Sequence, residues 1–288
     1  MHVPTVQRPI GVFDSGVGGL SVLAALRAEL PHESFVYLAD SGHAPYGEKG
    51  DAFVTRRTLA IGRWLHTRHA AKAVVVACNT ATAAAVERLR LDLPGVPVVG
   101  VEPALKPAAR QTRTGHVGVL GTRGTVQSSR FARLHSTHGA EVRFSVQACD
   151  GLAHAIEQST AEPPGAPAAQ ARIEALCARY TAALGAFGTQ PGDIDTLVLG
   201  CTHYVFAEPV LRALVGPGVH IIDTGPAVAR QTRRQLEAQA DLATPREGGE
   251  RTGAPAVVVL CTTGEPRALQ AAARRWLGLT VGAAPIAV

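Results

Sequence analysis

The chain has 288 residues, of which 46% are hydrophobic and 18% charged. That balance excludes a disordered protein and leaves room for one large domain or two ordinary ones. No apolar run reaches the about 18 residues needed to cross a bilayer, and the start "MHVPTVQRPIGVFD" lacks the pattern of a secretory leader; the expectation is a cytoplasmic protein without membrane association. The net charge of +5 is carried almost wholly by arginine, but its pairs (Arg56-Arg57, Arg233-Arg234, Arg274-Arg275) fall on helical patterns. They read as solvated helix faces, not as a focused nucleic-acid footprint.

Along the chain, short β-branched runs alternate with longer helical ones. "PIGVFD" (9–14) reads as a strand, followed by a helix with Leu20, Leu23, Leu26 and Leu30 at helical spacing. "SFVYLAD" (34–40) is a second strand, and a helix over about 51–69 follows. "AVVVA" (73–77) leads into a helix that stops at Pro94, and "VPVVGV" (96–101) is another strand. The pattern then restarts. "HVGVLGTRGTVQSS" (116–129) repeats the first strand and its glycine turn, with Gly118 matching Gly11, and "TLVLGCTHYVF" (196–206) repeats "AVVVACNTATA", with Cys201 matching Cys78. The second interval is longer, and the loop "TAEPPGAPAAQ" (160–170) is a suitable place for an insertion. Two further strand–helix pairs, 219–231 and 256–270, flank the polar stretch 241–253, and spacing leaves open which half they complete. Strands alternating with helices predict an α/β fold of two similar, pseudo-symmetric domains. Each would hold a mainly parallel sheet flanked by helices, with the active site in the interdomain cleft.

The five cysteines, Cys78, Cys149, Cys177, Cys201 and Cys261, are odd in number and show no C-x-x-C pair, which argues against a disulfide framework or a structural zinc. Cys149, Cys177 and Cys261 read as small buried residues. Cys78 and Cys201 are different, because both follow strands. Ligands of open parallel sheets bind outside the carboxyl ends of the strands. The residues placed there are Asp14-Ser15-Gly16, Asp40-Ser41, Cys78-Asn79-Thr80, Gly121-Thr122 and Cys201-Thr202-His203. Each hydroxyl and carboxylate alone has an equally good reading as a helix cap. Matched thiols on opposite walls of a cleft point further, to proton transfer on the two faces of one carbon: a thiolate removes a proton and a thiol delivers one. His203 lies two residues from Cys201, and Asp14 or Asp40 is available to serve Cys78. Asn79 and Thr80 are expected to cap the following helix while reaching for substrate. No lysine among Lys49, Lys72 and Lys106 stands at a strand end among polar partners, which argues against pyridoxal phosphate.

The motifs "GVFDSGVGGLSVL", "ADSGHAPYGEK", "VVVACNTATA", "GVLGTRGTVQS", "LGCTHY" and "IIDTG", in that order over nearly the whole chain, resemble the glutamate racemases of the cofactor-independent aspartate/glutamate racemase superfamily. The resemblance implies interconversion of L- and D-glutamate, supplying D-glutamate to bacterial peptidoglycan, with no cofactor or metal. It implies that Cys78 deprotonates the D-enantiomer with help from Asp14, and Cys201 the L-enantiomer with help from His203. Asp14, Ser15, Asp40, Pro45, Tyr46, Gly47, Asn79, Thr80, Thr125, Thr202 and His203 would hold the amino acid. Glu157 fits a family glutamate eight residues after a cysteine, although Asp150 stands where proline usually follows that cysteine, and His43 stands where many members have arginine. The resemblance also implies domains of 1–100 plus 211–288 and of 101–210, glutamate as small-molecule partner, and a monomer or homodimer. It leaves room for DNA gyrase as a secondary partner, since some glutamate racemases inhibit it. Three Asp-Ser/Thr-Gly triplets invite comparison with aspartic proteases, but those need an all-β chain. A Cys201–His203 hydrolase would leave Cys78 unexplained. An aspartate or hydantoin racemase would share the thiols but differ around "FDSGVGG" and "PYG".

Overall fold

The computed structural model describes residues 5–140, 142–160, 162–163, 166–243 and 257–288. Most of the polar stretch 241–253 and part of the loop 160–170 lie outside them. The first half runs β1 (Ile10–Asp14), α1 (Leu20–Glu29), β2 (Phe35–Ala39), α2 (Asp51–His69), β3 (Ala73–Val76), α3 (Asn79–Asp92) and β4 (Val98–Gly100). After α4 (Leu105–Gln111) come β5 (His116–Gly121), α5 (Arg123–Val126), α6 (Ser129–His138), β6 (Arg143–Ala148), α7 (Leu152–Gln158) and α8 (Pro167–Leu184). The chain closes with β7 (Thr196–Gly200), α9 (Glu208–Val215), β8 (His220–Ile222), α10 (Gly225–Ala238), β9 (Val258–Thr262), α11 (Pro266–Leu277) and β10 (Ala283–Pro285).

These strands form two sheets, ordered β10-β9-β2-β1-β3-β4 and β6-β5-β7-β8, with every described pairing parallel. Every residue of β1, β2 and β3 is buried, as strands covered by helices on both faces must be, which is why these runs are continuously apolar. The order β2-β1-β3-β4 recurs as β6-β5-β7-β8, the topological form of the sequence repeat. The matched glycines do the same work in each half. A Cβ at Gly11 would lie 3.1 Å from Leu65 on α2, and one at Gly118 would lie 3.1 Å from Leu184 on α8; in each case the missing side chain lets a helix close onto the central strand. The longer interval in the second half accommodates α7 between β6 and α8.

The return of the chain to the first sheet comes later than the expected boundary near residue 211. Leu211 on α9 is buried in the core of the second sheet, and β8 takes its ladder from β7, with Leu197 opposite Ile221. Val228, Ala229 and Leu236 on α10 then enter the core beneath α1 and the first sheet. The two remaining strand–helix pairs are therefore divided, β8 completing the second sheet and β9 extending the first.

Two contacts away from the cleft tie the halves together. Arg130 on α6 reaches Glu87 on α3 at 2.8 Å and also pairs with Glu102 between β4 and α4. Phe206 stacks on Trp276 of α11 with ring centroids 3.7 Å apart and planes within 7°. The solvated reading fails for Arg57 and Arg233, which are partly buried and paired with Asp40 and Glu29; Arg275 stays exposed, although it donates to the Ser159 carbonyl.

Lys72, just before β3, forms a fully enclosed ion pair with Glu33 at 2.7 Å. Its ammonium also donates to the carbonyls of Val6 and Asp241, so one charge joins three segments. Removing one partner of such a pair leaves the other charge buried without compensation, at a cost of about 3–5 kcal/mol. We therefore expect Lys72→Met to lower unfolding free energy by that amount, read from the shift of the urea midpoint; a change below about 1 kcal/mol would contradict the assignment.

Candidate active site

The cleft is built where strands of both sheets end. Asp14 closes β1 and Asp40 follows β2; Cys78 follows β3, Thr122 follows β5 and Cys201 follows β7. Cys78 and Cys201 thus occupy equivalent places, each one residue before a helical turn, and both are buried.

The surroundings of the two thiols differ. The Cys78 sulfur accepts the Ala81 N–H at 3.4 Å and so caps α3 itself. This corrects the expectation that Asn79 and Thr80 would be the caps. Cys78 also donates to Ser15 Oγ at 3.7 Å, Ser15 lies 3.5 Å from Asp14 Oδ1, and Asp14 Oδ2 accepts the Gly19 N–H at 2.7 Å. Burial, reinforced by the Asp14 carboxylate, pushes the Cys78 thiol well above its usual range. Burial likewise raises Asp14, against the pull of His203.

On the opposite wall, His203 Nδ1 lies 3.8 Å from the Cys201 sulfur and its Nε2 lies 2.6 Å from Glu157 Oε2. Burial opposes a charge on His203, yet its bonds to Cys201 and Glu157 prevail and raise it well above the ordinary imidazole range. Burial also opposes a charge on Glu157; the His203 bond, the Val17 N–H at 2.9 Å and the Ser41 hydroxyl at 3.1 Å together hold it below the carboxylate range. His203 and Glu157 form an imidazolium–carboxylate pair. The turn from Gly16 to Gly19 is pressed against that pair: a Cβ at Gly16 would sit 2.5 Å from the Glu157 carboxylate, and one at Gly18 2.2 Å from the His203 ring. The two thiols share one field, for charge on Cys201 disfavours charge on Cys78.

Three hydroxyls bridge the sheets. Thr80 lies 2.9 Å from Thr122, Thr122 2.9 Å from Thr125, and Thr80 3.5 Å from Thr125. Beside them the Asn79 amide is buried with neither its oxygen nor its nitrogen partnered, a cost that a ligand would remove. Thr202 is buried, and its carbonyl accepts from Ser21 at 3.1 Å. Tyr46 and Gly47 follow the cis Ala44–Pro45 bond, and a Cβ at Gly47 would be 2.9 Å from Thr122.

Asp40 departs from its expected role at the thiol or on substrate. Both its oxygens are taken by Arg57 at 2.8 and 2.9 Å, with Tyr46 at 2.5 Å, Thr263 at 2.7 Å and His43 at 3.0 Å around them. Tyr46 spends its hydroxyl on the same carboxylate. The sequence reading missed the backbone N–H of Val17, the guanidinium of Arg57, the hydroxyl of Thr263, and Tyr37, whose buried hydroxyl donates to the Gly16 carbonyl at 2.7 Å. Ser41 and Thr122 stand at strand ends but outside the expected binding set. A charged residue on the buried stripe of α2, between Val54 and Ile61, was the available signal for Arg57. Among the described residues, no three His, Cys, Asp or Glu side chains converge as a metal site.

The chain is similar over most of its length to known proteins. The Asp/Glu/hydantoin racemase family profile matches residues 20–232. The glutamate racemase of Pseudomonas syringae pv. tomato is 49% identical over 241 residues, 84% of this chain and 83% of that protein. That of Ectopseudomonas mendocina is 50% identical over 238 residues, 83% of this chain and 86% of that protein. The crystal structure of glutamate racemase isoform RacE1 from Bacillus anthracis matches with a TM-score of 0.81 at 30% identity, covering 98% of each chain. The Escherichia coli glutamate racemase, solved with L-glutamate and the activator UDP-MurNAc-ala, matches with a TM-score of 0.78 at 32% identity, again over 98% of each chain. The chain belongs to the Asp/Glu/hydantoin racemase family, among relatives that are glutamate racemases.

Proposed function

We propose that this chain interconverts L- and D-glutamate without a cofactor, by proton transfer between the substrate α-carbon and two thiols, and so supplies D-glutamate for peptidoglycan synthesis. The observation that carries the reading is the pair Cys78 and Cys201 at equivalent strand ends, each with its own ionisable partner and close enough that charge on Cys201 bears on Cys78. In the D-to-L direction the Cys78 thiolate takes the α-proton from one face and the Cys201 thiol delivers a proton to the other; the L-to-D direction reverses these roles. Removal of the proton sends charge onto the α-carboxylate, and preorganised donors must meet it. The unpartnered Asn79 amide and the Thr80, Thr125 and Thr202 hydroxyls are assigned to that task, with Ser15, Pro45, Tyr46 and Gly47 completing the wall. Glu157 and His203 form the opposite polar wall, and His203 donates toward the Cys201 sulfur. Lys72 supports the cofactor-independent route, since its ammonium is enclosed by Glu33 at the amino end of β3, away from the strand ends where the thiols lie.

The test is incubation with L-glutamate in deuterated water and no added cofactor, with L-aspartate and a hydantoin run in parallel. We expect α-deuteration and racemisation of glutamate alone, and a loss of about 10²–10⁴-fold or more in each of Cys78→Ala and Cys201→Ala. Racemisation that survives removal of both thiols, or that requires pyridoxal phosphate, sinks the proposal; preference for aspartate or the hydantoin reassigns the substrate.

The ionisation pattern gives a second outcome. The productive enzyme carries one proton across the two thiols, and that form is lost when the second thiol ionises. Because burial and Asp14 push Cys78 upward, the alkaline limb of kcat/KM is expected above the ordinary thiol value of about 8.5. Enantiomers have equal free energies in water, so the profiles in the two directions should coincide. Asp14→Asn removes the neighbouring negative charge while keeping an oxygen for the Gly19 N–H, and should move that limb to lower pH. An unmoved limb would show that Asp14 does not act on the thiol.

A further inference from the structure

The segment 41–47 meets the second half of the molecule at two points: the Ser41 hydroxyl donates to Glu157 at 3.1 Å, and Gly47 lies against Thr122. Both contacts lie on the cleft wall, so the segment's position sets the shape of the space a substrate would enter. What fixes it is Asp40. That carboxylate is fully buried, and it holds Tyr46 and His43 from within the segment while also accepting from Thr263 at the end of β9. A carboxylate gathering this many groups requires a fixed countercharge, and Arg57 is the one that meets it, with Nε on one oxygen and Nη2 on the other. This bidentate geometry orients the carboxylate plane as well as neutralising it.

Arg57 is itself held from a third side. Its Nη1 donates to the backbone oxygen of Val288 at 2.5 Å. The C-terminal segment reaches that place by adding β10 to the edge of β9, by an Ile286 N–H bond to the Thr262 carbonyl at 2.8 Å, and by packing Ile286 and Val288 against the core under α2. A chain of contacts thus runs from residues 283–288 through Arg57 and Asp40 to Tyr46, Gly47 and the cleft.

We propose that Arg57 is a positioning residue for substrate binding, clamped by the C-terminal segment and acting through Asp40 on the 41–47 loop; the proposal rests on the glutamate reading above. The loop is expected to contribute equally to the bound substrate and the transition state, so its displacement should appear in KM before kcat. Misplacement of contacting groups by about 1 Å is enough for large effects.

The experiment compares the 288-residue chain with Arg57→Ala, Arg57→Lys and a chain ending at Pro285. It records melting temperature, KM and kcat for both enantiomers, and amide hydrogen exchange. For Arg57→Ala we expect KM to rise about tenfold for both enantiomers with kcat changed less than about threefold, together with faster exchange at residues 41–49 and unchanged exchange in β1 and β3. Arg57→Lys keeps the charge without the two-oxygen grip and should fall between, as should the shortened chain. A lower melting temperature with unchanged KM and unchanged exchange at 41–49 overturns the proposal, as does a fall confined to kcat. If Arg57→Ala does not fold, Arg57→Lys and the shortened chain decide by the same criteria. An unsubstituted 288-residue chain that does not racemise glutamate defeats the glutamate reading instead, and the exchange pattern at 41–49 then decides whether Arg57 positions the loop.

Discussion

In a parallel strand followed by a helix, the last residue of the strand and the first N–H groups of the helix point to the same side of the sheet. A side chain at that joint is placed by backbone geometry, before any tertiary contact is made. Cys78 and Cys201 stand at two such joints, after β3 and β7, and the repeated order β2-β1-β3-β4 and β6-β5-β7-β8 makes the joints equivalent. Bringing the carboxyl edges of the two sheets together therefore sets thiol against thiol. The Arg130 ion pairs and the Phe206–Trp276 stack oppose the halves in that sense and keep them there.

Equivalent position does not mean equivalent chemistry. Cys78 faces a hydroxyl and a carboxylate that is itself short of solvation, and its proton is held tightly. Cys201 faces His203, which its bonds to Cys201 and, at 2.6 Å, to Glu157 raise above the ordinary imidazole range against the effect of burial. A two-base proton transfer needs one base empty and the other loaded at any moment, and then the reverse. Two identical groups in identical surroundings would leave that choice to chance; an imidazolium on one wall and a carboxylate on the other bias it. The same Glu157 receives the Val17 N–H and the Ser41 hydroxyl from the first half, so the charge that tunes one wall also joins it to the other.

Much of this was legible in the sequence, because strand periodicity and motif order both act over short distances. The α/β class, the repeat, the matched positions of the two thiols and the nearness of His203 to Cys201 all follow from neighbours a few residues apart or from repeated patterns. What was not legible depended on distant partners. Glu157 fitted only a spacing rule, yet it is the residue on which Val17, Ser41 and His203 converge. The division of β8 and β9 between the sheets turns on which edge strand offers a ladder, and linear spacing carries no information about that. Arg57 reads as half of a solvated pair on a helical pattern; the burial of Val54, Thr58 and Ile61 places it beside the buried stripe of α2, while Arg56 is exposed.

Asp14 and Asp40 make the same point in one comparison. Both end or follow a central strand of the first sheet, both precede a serine and a glycine, and both are fully buried. By sequence they are interchangeable. Asp14 finds a backbone N–H and a hydroxyl but, among the described residues, no direct cationic partner, so burial raises it and its field falls on Cys78. Asp40 finds Arg57, and with it Tyr46 and Thr263; these bonds overcome burial and hold it below the usual carboxylate range. A single guanidinium on α2 therefore separates a carboxylate that acts on a thiol from one that carries a loop. Polar residues at strand ends are thus not equivalent: the ionisation of each carboxylate is set by the partners it finds rather than by its position.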